Sequence, residues 1–287
     1  MTTLAARHIE LRSGRRVHVL ETGDGPTLLL LHGSGTSSVS LLPVIERLAG
    51  VRAIAVDRPG FGLSEPAPVG RRRFREAAVE FVDEVVGELG VETLALAGNS
   101  MGGTWALWYA LARPERVHRL VLLGSAPLLP ATRPPAPLRM MATPLVGDLM
   151  TRLLRPNPKR LIRLMGSMGE RETIVRHPQL IEALVAAAAE PTAAAANHAE
   201  LRAVISPIGF RRGARVQADE LRRLTTPTLL IWGDQDPVGT VDAARSVAGL
   251  IPDARLEVLP GGHVPYLGNP ERVSDLLSEF VRVGGDR

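Results

Sequence analysis

A serine between glycines is the first residue of this sequence that could carry out chemistry. The segment 98–102 reads Gly-Asn-Ser-Met-Gly, and it stands between an apolar run that ends at Ala97 and a segment of helical character. A nucleophilic serine needs such a sharp strand-to-helix turn, in which the flanking glycines remove side chains that would clash. We therefore predict that Ser100 is a nucleophile. The alternative is an ordinary glycine-rich turn with a capping serine.

A nucleophilic serine needs a base and an acid, and the later part of the chain offers both. Of the seven histidines, only His263 lies in a glycine-rich loop between a late strand and the last helix. In the order Ser–Asp–His, the imidazole takes and returns the serine proton, and a carboxylate fixes its tautomer. In the loop 233–237 we favour Asp236 as this acid over Asp234, which suits a turn hydrogen bond. The preceding strand ends at 124–126 without a carboxylate, which disfavours an acid there.

An early glycine loop could stabilise the negative charge that acyl transfer builds on a carbonyl oxygen. Four leucines at 28–31 are followed by His-Gly-Ser-Gly. Preorganised N–H donors are worth about 3 kcal/mol each at such an oxyanion. We predict that the donors are the backbone N–H groups of Met101 and Ser34, with Gly35 as the alternative to Ser34. His32 is expected to hold the loop by hydrogen bonds.

The elements that must position these residues alternate between strands and helices. Apolar runs predict strands, among them 16–22, 27–31 and 117–123, and helical spacing predicts helices between them, including 40–48. This alternation predicts an α/β fold with a mostly parallel central sheet and helices on both faces. Residues 127–215 have many prolines and no strong strand pattern, so we predict a helical cap there. The cap is expected to divide the hydrolytic core into residues 1–126 and 216–287.

Composition excludes several classes of function. The 287 residues include no cysteine, which excludes disulfides and a thiol nucleophile. Lys+Arg is 34 against 30 for Asp+Glu, and Lys159 is the single lysine, so the high pI of 10.4 reflects arginine. We read the run Arg71-Arg72-Arg73 as a solvated loop, because no aromatic residues are interleaved with it.

Targeting, membrane and cofactor signals are also missing from the sequence. We find no signal-peptide pattern, and no apolar run approaches the roughly 20 residues that span a bilayer. No histidine or carboxylate cluster has metal-ligand spacing, and there is no nucleotide-binding fingerprint. We expect a cytoplasmic monomer or homodimer that acts on a small molecule, without a metal, an organic cofactor, nucleic acid or membrane.

Five segments together resemble the α/β-hydrolase superfamily, in that family's order and over nearly the whole chain outside the cap. The resemblance implies the fold and a Ser100–His263–Asp236 triad, but it says little about the substrate. Ser100 also stands where epoxide hydrolases and dehalogenases of this fold use aspartate. The segments are His32-Gly-Ser-Gly35, Asp57-Arg-Pro-Gly-Phe-Gly-Leu-Ser64, Gly98-Asn-Ser-Met-Gly-Gly103, Trp232-Gly-Asp-Gln-Asp236 and Gly262-His263.

We expect cleavage of a small to medium carboxylic ester through an acyl-enzyme on Ser100. The alternative is hydrolysis of a carbon–carbon bond in ring-cleavage products of aromatic degradation, because 32–35 and 98–103 are also similar to those enzymes. They usually carry a tryptophan after the catalytic histidine, where this chain has Val264, and a cap arginine for the substrate's carboxylate. A non-enzymatic small-molecule receptor is a third hypothesis. Predicted substrate-binding residues are Gly33, Gly35, Asn99, Leu128, Met140 and Met165.

Overall fold

One eight-stranded sheet forms the centre of the computed structural model, which describes residues 4–67, 73–153 and 155–282. The strands are β1 (Ala5–Glu10), β2 (Arg16–Thr22), β3 (Thr27–Leu31), β4 (Arg52–Val56), β5 (Leu94–Asn99), β6 (Val117–Leu123), β7 (Ile205–Ser206), β8 (Gly209–Phe210), β9 (Thr228–Gly233) and β10 (Ala254–Leu259). The order in the sheet is β1-β2-β4-β3-β5-β6-β9-β10, and β7 and β8 form a separate hairpin. The pairs β1–β2 and β2–β4 are antiparallel, and the other neighbours in the sheet are parallel.

Helices cover both faces of this sheet. They are α1 (Leu42–Ile45), α2 (Phe74–Glu88), α3 (Met101–Ala112), α4 (Ala136–Ala142), α5 (Val146–Leu153), α6 (Pro158–Ser167), α7 (Arg171–Ile174), α8 (Pro178–Ala189), α9 (Pro191–Val204), α10 (Ala218–Arg222), α11 (Val241–Ala248), α12 (Pro265–Gly268) and α13 (Pro270–Arg282). One hydrophobic cluster contains residues of α2, α3 and α11, and a second contains residues of α1, α12 and α13. The predicted α/β fold, with a mostly parallel sheet between helices, is confirmed.

The leucine run in β3 explains why the sheet needs two covering layers. Every residue of β3 is buried. Leu29 and Leu31 belong to the first cluster, whereas Leu28 and Leu30 belong to the second. Successive side chains of a strand point to opposite faces, so a continuous apolar run is typical of a parallel strand that is buried on both sides.

The helix predicted at 40–48 is mostly absent. A 3-10 turn, Ser38–Leu41, leads into the single helical turn of α1. Here Asp57 Oδ1 accepts from the Ser38 N–H at 2.7 Å, and Ser40 Oγ donates to a backbone carbonyl at 2.8 Å. Such side-chain bonds to the backbone compete with helix formation.

Between β6 and α10 the chain forms a helical insertion, which we define as residues 136–210, from α4 to β8. The short β7–β8 hairpin is a strand pair that the sequence did not predict. Helices α8 and α9 meet at Glu190, whose extended conformation (ψ 130°) is the one that a following proline favours. The boundaries of the predicted cap, 127 and 215, stay predictions.

The arginine run at 71–73 and the length of the helices bear on the expectations about charge and membranes. Arg71 and Arg72 lie outside the described residues, and Arg73 directly precedes α2. Within the described ranges, every helix is too short or too polar to cross a bilayer.

Candidate active site

Ser100 occupies a strained turn between β5 and α3. Its backbone dihedrals are φ 54° and ψ −119°, in a region that side-chain-bearing residues rarely adopt. The glycines around it are sterically required. A Cβ on Gly98 would overlap the backbone of Gly102, and a Cβ on Gly102 would overlap the carbonyl oxygen of Leu31. The sequence therefore builds a turn that presents the hydroxyl at the carboxyl end of the sheet.

The structure brings Ser100, His263 and Asp236 into one hydrogen-bonded chain. Ser100 Oγ lies 2.8 Å from His263 Nε2, and His263 Nδ1 lies 3.0 Å from Asp236 Oδ2 and 3.1 Å from Oδ1. The histidine and the aspartate are buried. With its proton on Nδ1 and donated to the Asp236 carboxylate, the imidazole has Nε2 free to accept the serine proton, which is the geometry of nucleophile activation.

The surroundings of Asp236 keep its carboxylate ionised. Burial acts to raise the pKa of Asp236, but His263 and the N–H groups of Ser125 (3.0 Å) and Val238 (2.9 Å) outweigh it, so the pKa is lowered. Asp234 instead accepts from the backbone N–H of Gly261 in the histidine loop at 3.0 Å, so its bond joins two loops and is not the local turn bond expected of it.

Ser125 is a neighbour of the base that sequence reasoning passed over. Its Oγ lies 3.2 Å from His263 Nδ1. It follows β6, which lies in the sheet between β5 and β9, the strands that lead to Ser100 and Asp236. Because the carboxyl ends of neighbouring parallel strands meet at one edge of the sheet, the position of Ser125 after β6 could have indicated that it lies near the base.

The glycine loop after β3 borders the nucleophile. A Cβ on Gly33 would lie 3.3 Å from Ser100 Cβ. Met101 is the first residue of α3, and first-turn N–H groups lack an acceptor within their own helix. At Gly35 a Cβ would lie 3.5 Å from Asn197 Oδ1, so α9 covers the loop. The oxyanion roles of the Met101 and Ser34 N–H groups stay predictions.

His32 fastens this loop to the next strand connection. Its Nδ1 lies 2.8 Å from the Gly33 carbonyl, and its Nε2 accepts from the backbone N–H of Arg58 at 2.9 Å. Burial, assisted by the Arg58 charge, lowers the pKa of His32 to about 3. A neutral ring with its proton on Nδ1 satisfies both bonds, as expected for a residue that holds the loop.

Glu200 of α9 forms a buried ion pair with Arg58 and also accepts from the Ser34 hydroxyl. Arg58 Nη2 donates to the Gly33 carbonyl at 2.9 Å. Its guanidinium carbon lies 4.9 Å from the ring centroid of Trp105. Arg58 therefore connects α9 to the glycine loop after β3. Glu200 gave no signal, because it is a lone acid in an alanine-rich helix.

Glu170 is a second buried acid of the insertion that the sequence did not single out. Its Oε1 accepts from the N–H groups of Gly262 and Val264, each at 2.9 Å. The N–H of His263 donates to the Met168 carbonyl at 2.9 Å. Insertion and histidine loop are thus joined on both sides of the imidazole.

The predicted substrate-binding residues are spread over several environments. Asn99 Nδ2 donates to the carbonyls of Leu123 (2.7 Å) and His263 (3.2 Å), so its amide hydrogens already have acceptors. Leu128 and Met165 lie in different hydrophobic clusters, and Met140 is 52% exposed. Contact of these side chains with a substrate stays a prediction.

Comparison with known proteins agrees with this geometry. A family model described as the alpha/beta hydrolase fold matches residues 26–270. A 2-hydroxy-6-oxononadienedioate/2-hydroxy-6-oxononatrienedioate hydrolase of Cupriavidus pinatubonensis is 30% identical, over 93% of this chain and 90% of its own.

Two solved structures are also similar to the chain. The 2-hydroxy-6-oxo-6-phenylhexa-2,4-dienoate hydrolase of a Rhodococcus strain has a TM-score of 0.80 at 22% identity, over 98% of this chain and all of its own, which shows the shared fold. The carboxylesterase CesB of Bacillus subtilis has a TM-score of 0.71 at 25% identity, over 98% of this chain and 93% of its own. With the family model and the relative of matching length, these likenesses show that the chain belongs to the α/β-hydrolase family and is a hydrolase.

Proposed function

We propose that this chain hydrolyses a carbon–carbon bond in a 2-hydroxy-6-oxo acid produced by opening of an aromatic ring. The observation that carries this proposal is the 30% identity, over 93% of the chain, to a hydrolase named for 2-hydroxy-6-oxononadienedioate. A molecule of that name contains no ester or amide bond. Its hydrolysis therefore has to break a carbon–carbon bond, and the bond between C5 and the C6 carbonyl carbon is the one whose electron pair the conjugated 2-oxo group can take up. The sequence offers the same reaction as the alternative to ester cleavage, and the identity to this relative favours it.

The hydrogen-bonded chain at Ser100 is suited to this reaction. In the 2-oxo tautomer of the substrate, the enol proton has moved to C5. Ser100 Oγ adds to the C6 carbonyl while His263 takes its proton, and the N–H groups of Met101 and Ser34 donate to the oxyanion. Collapse breaks the C5–C6 bond, and the electron pair enters the conjugated ketone, which leaves as a 2-hydroxydienoic acid after taking a proton from His263. Water activated by His263 then releases the second acid from Ser100.

Ester hydrolysis is the second candidate, and the charge around the site favours it. Among the residues that the structure describes, the buried cation beside the glycine loop after β3 is Arg58, and Glu200 already balances its charge. Val264 follows His263 where the carbon–carbon hydrolases usually have tryptophan. A neutral ester needs no free cation for binding. The likeness to a carboxylesterase supports the same candidate.

Parallel assays on a 2-hydroxy-6-oxo-dienoate and on p-nitrophenyl acetate and butyrate test the two candidates. We expect wild type to have the higher kcat/KM on the dienoate, and Ser100→Ala to lose about 10⁴-fold or more. The control is Ser246→Ala, an exposed serine of α11, which should match wild type. Turnover of the esters alone would replace the first candidate by the second. Wild-type turnover of neither substrate would overturn both.

A further inference from the structure

Three consecutive backbone N–H groups of the histidine loop are donated to one stretch of the helical insertion. Those of Gly262 and Val264 go to Glu170 Oε1, each at 2.9 Å. That of His263 goes to the Met168 carbonyl, also at 2.9 Å. The backbone on both sides of the base is therefore fixed by residues outside the loop.

The direction of the Glu170 side chain is informative. Glu170 is the residue that caps the N-terminus of α7, yet its carboxylate makes no capping bond to that helix and turns to the histidine loop instead. The side chain is fully buried. Burial raises the pKa of Glu170, although the two loop N–H groups, Thr173 and His263 act in the opposite direction. A buried carboxylate is costly unless it is hydrogen-bonded, and the histidine loop supplies two bonds, both of them to Oε1.

The two backbones approach so closely that the loop cannot shift toward the insertion. A Cβ on Gly262 would overlap the Met168 carbonyl oxygen and would lie 2.7 Å from the Cα of Gly169. Glycine at 262 is what permits this approach. The loop can therefore move only away from the insertion, and the two bonds to Glu170 Oε1 oppose that movement.

We infer that Glu170 is a positioning residue for His263, which holds the N–H groups on both sides of the base and so keeps Nε2 within reach of Ser100 Oγ. The inference rests on the proposed roles of Ser100 and His263 in hydrolysis, but it does not depend on the substrate. A displacement of about 1 Å in a reacting group can cost about 100-fold in rate. Loss of the two acceptor bonds leaves two buried N–H groups unpaired and frees the loop to move.

The test is the rate at which a fluorophosphonate labels Ser100. In this reaction a P–Oγ bond replaces the P–F bond, fluoride leaves and His263 takes the serine proton. We expect Glu170→Ala to lower the limiting labelling rate by about 10- to 100-fold with the probe's half-saturating concentration little changed. The melting temperature should fall because two N–H groups lose their acceptor. Glu170→Gln keeps an acceptor oxygen at the same reach, so its rate should stay within about threefold of wild type. The matched control is Glu172→Ala, an exposed acid of α7, which should label at the wild-type rate.

Other outcomes would overturn the inference. Labelling of Glu170→Ala at the wild-type rate would do so, as would equally slow labelling of the Gln and Ala variants. If the Ala variant does not fold, Glu170→Asp replaces it, because it keeps the charge but withdraws the acceptor. Slow labelling of Glu170→Asp together with fast labelling of Glu170→Gln then supports the inference, and any other order of the two rates contradicts it. Wild type that labels at Ser100 but does not turn over the dienoate would refute the proposed function while leaving this test intact.

Discussion

Both ring nitrogens of His32 already take part in hydrogen bonds, so the ring cannot gain a second proton without losing one of those bonds. Its Nδ1–H is used on the Gly33 carbonyl, and its Nε2 lone pair is used on the N–H of Arg58. Protonation at Nε2 would break the second bond and would place a buried cation beside the Arg58 guanidinium. This is why burial and Arg58 lower its pKa to about 3.

The lowered pKa of His32 makes stability depend on pH. Below the ordinary value of 6.5 the unfolded chain takes up this proton while the folded chain does not, so stability is fully present above pH 6.5 and declines toward pH 3. The decline is at most about 1.4 kcal/mol per pH unit. Urea unfolding at pH 7.5 and pH 5 should therefore show a larger loss for wild type than for His32→Asn. The exposed His8→Asn should keep the wild-type slope, and equal slopes for all three would contradict the prediction.

At the residue scale, the site residues that lie in short local motifs could be predicted from the sequence. Ser100 and His263 lie in glycine-rich turns, which their neighbouring residues make recognisable in the sequence. Asp236 could be predicted because it lies in the loop directly after an apolar strand. Glu170 and Glu200 could not be found this way, because neither stands in a recognisable local motif. Their partners lie far away in sequence, and only tertiary packing brings them together.

At the scale of elements, the contact between α3 and β3 sets the position of the nucleophile. Gly102, in the first turn of α3, lies directly against the Leu31 carbonyl at the end of β3. The helix begins where the strand ends, so any side chain at this glycine would push the two elements apart.

Gly102→Ala should therefore lower both stability and activity. Overpacking of this kind costs about 1–3 kcal/mol, and Ser100 would shift with the helix. The matched control is Gly87→Ala in α2, where an added Cβ meets nothing within 4 Å. Removing a helical glycine should stabilise that variant by about 0.5 kcal/mol. Thermal melts and the esterase or dienoate assay check both, and a Gly102→Ala variant as stable and active as wild type would show that the contact is loose.

Elements with a strong period were predictable, and elements shaped by side-chain bonds were not. The strands at 16–22, 27–31 and 117–123 have the predicted bounds. The helix predicted at 40–48 reduced to α1, and Asp57 and Ser40 bind the backbone of residues 38 and 37 directly before it. The β7–β8 hairpin has only two residues in each strand, which is too short for an alternating pattern to appear.

At the scale of the whole molecule, the insertion is part of the packed interior. Both hydrophobic clusters contain residues of the insertion, among them Leu201 in one and Met165 in the other. The ion pair between Arg58 and Glu200 adds a polar tie in the same region, and both side chains are buried. Insertion and sheet therefore share their stability.

A double-mutant cycle on Arg58 and Glu200 tests how strong this tie is. Arg58→Met or Glu200→Met alone leaves an unpaired buried charge and should cost about 3–5 kcal/mol in unfolding free energy. The double variant should cost clearly less than the sum of the two. The exposed pair Arg245–Asp242 is the control, with a coupling near zero. Additive losses at Arg58 and Glu200 in urea unfolding would mean that the pair does not act as a unit.

The bonds between Glu170 and the histidine loop also have a consequence in time. A backbone amide exchanges its hydrogen with solvent only when its bond opens. The exchange rates of the amides at 262, 263 and 264 therefore report how often the insertion separates from the histidine loop. We expect these three hydrogen bonds to open together. Each such event leaves His263 without its backbone support. A substrate that entered between the insertion and the histidine loop would find His263 out of its catalytic position. Fast turnover is therefore compatible only with entry at another place.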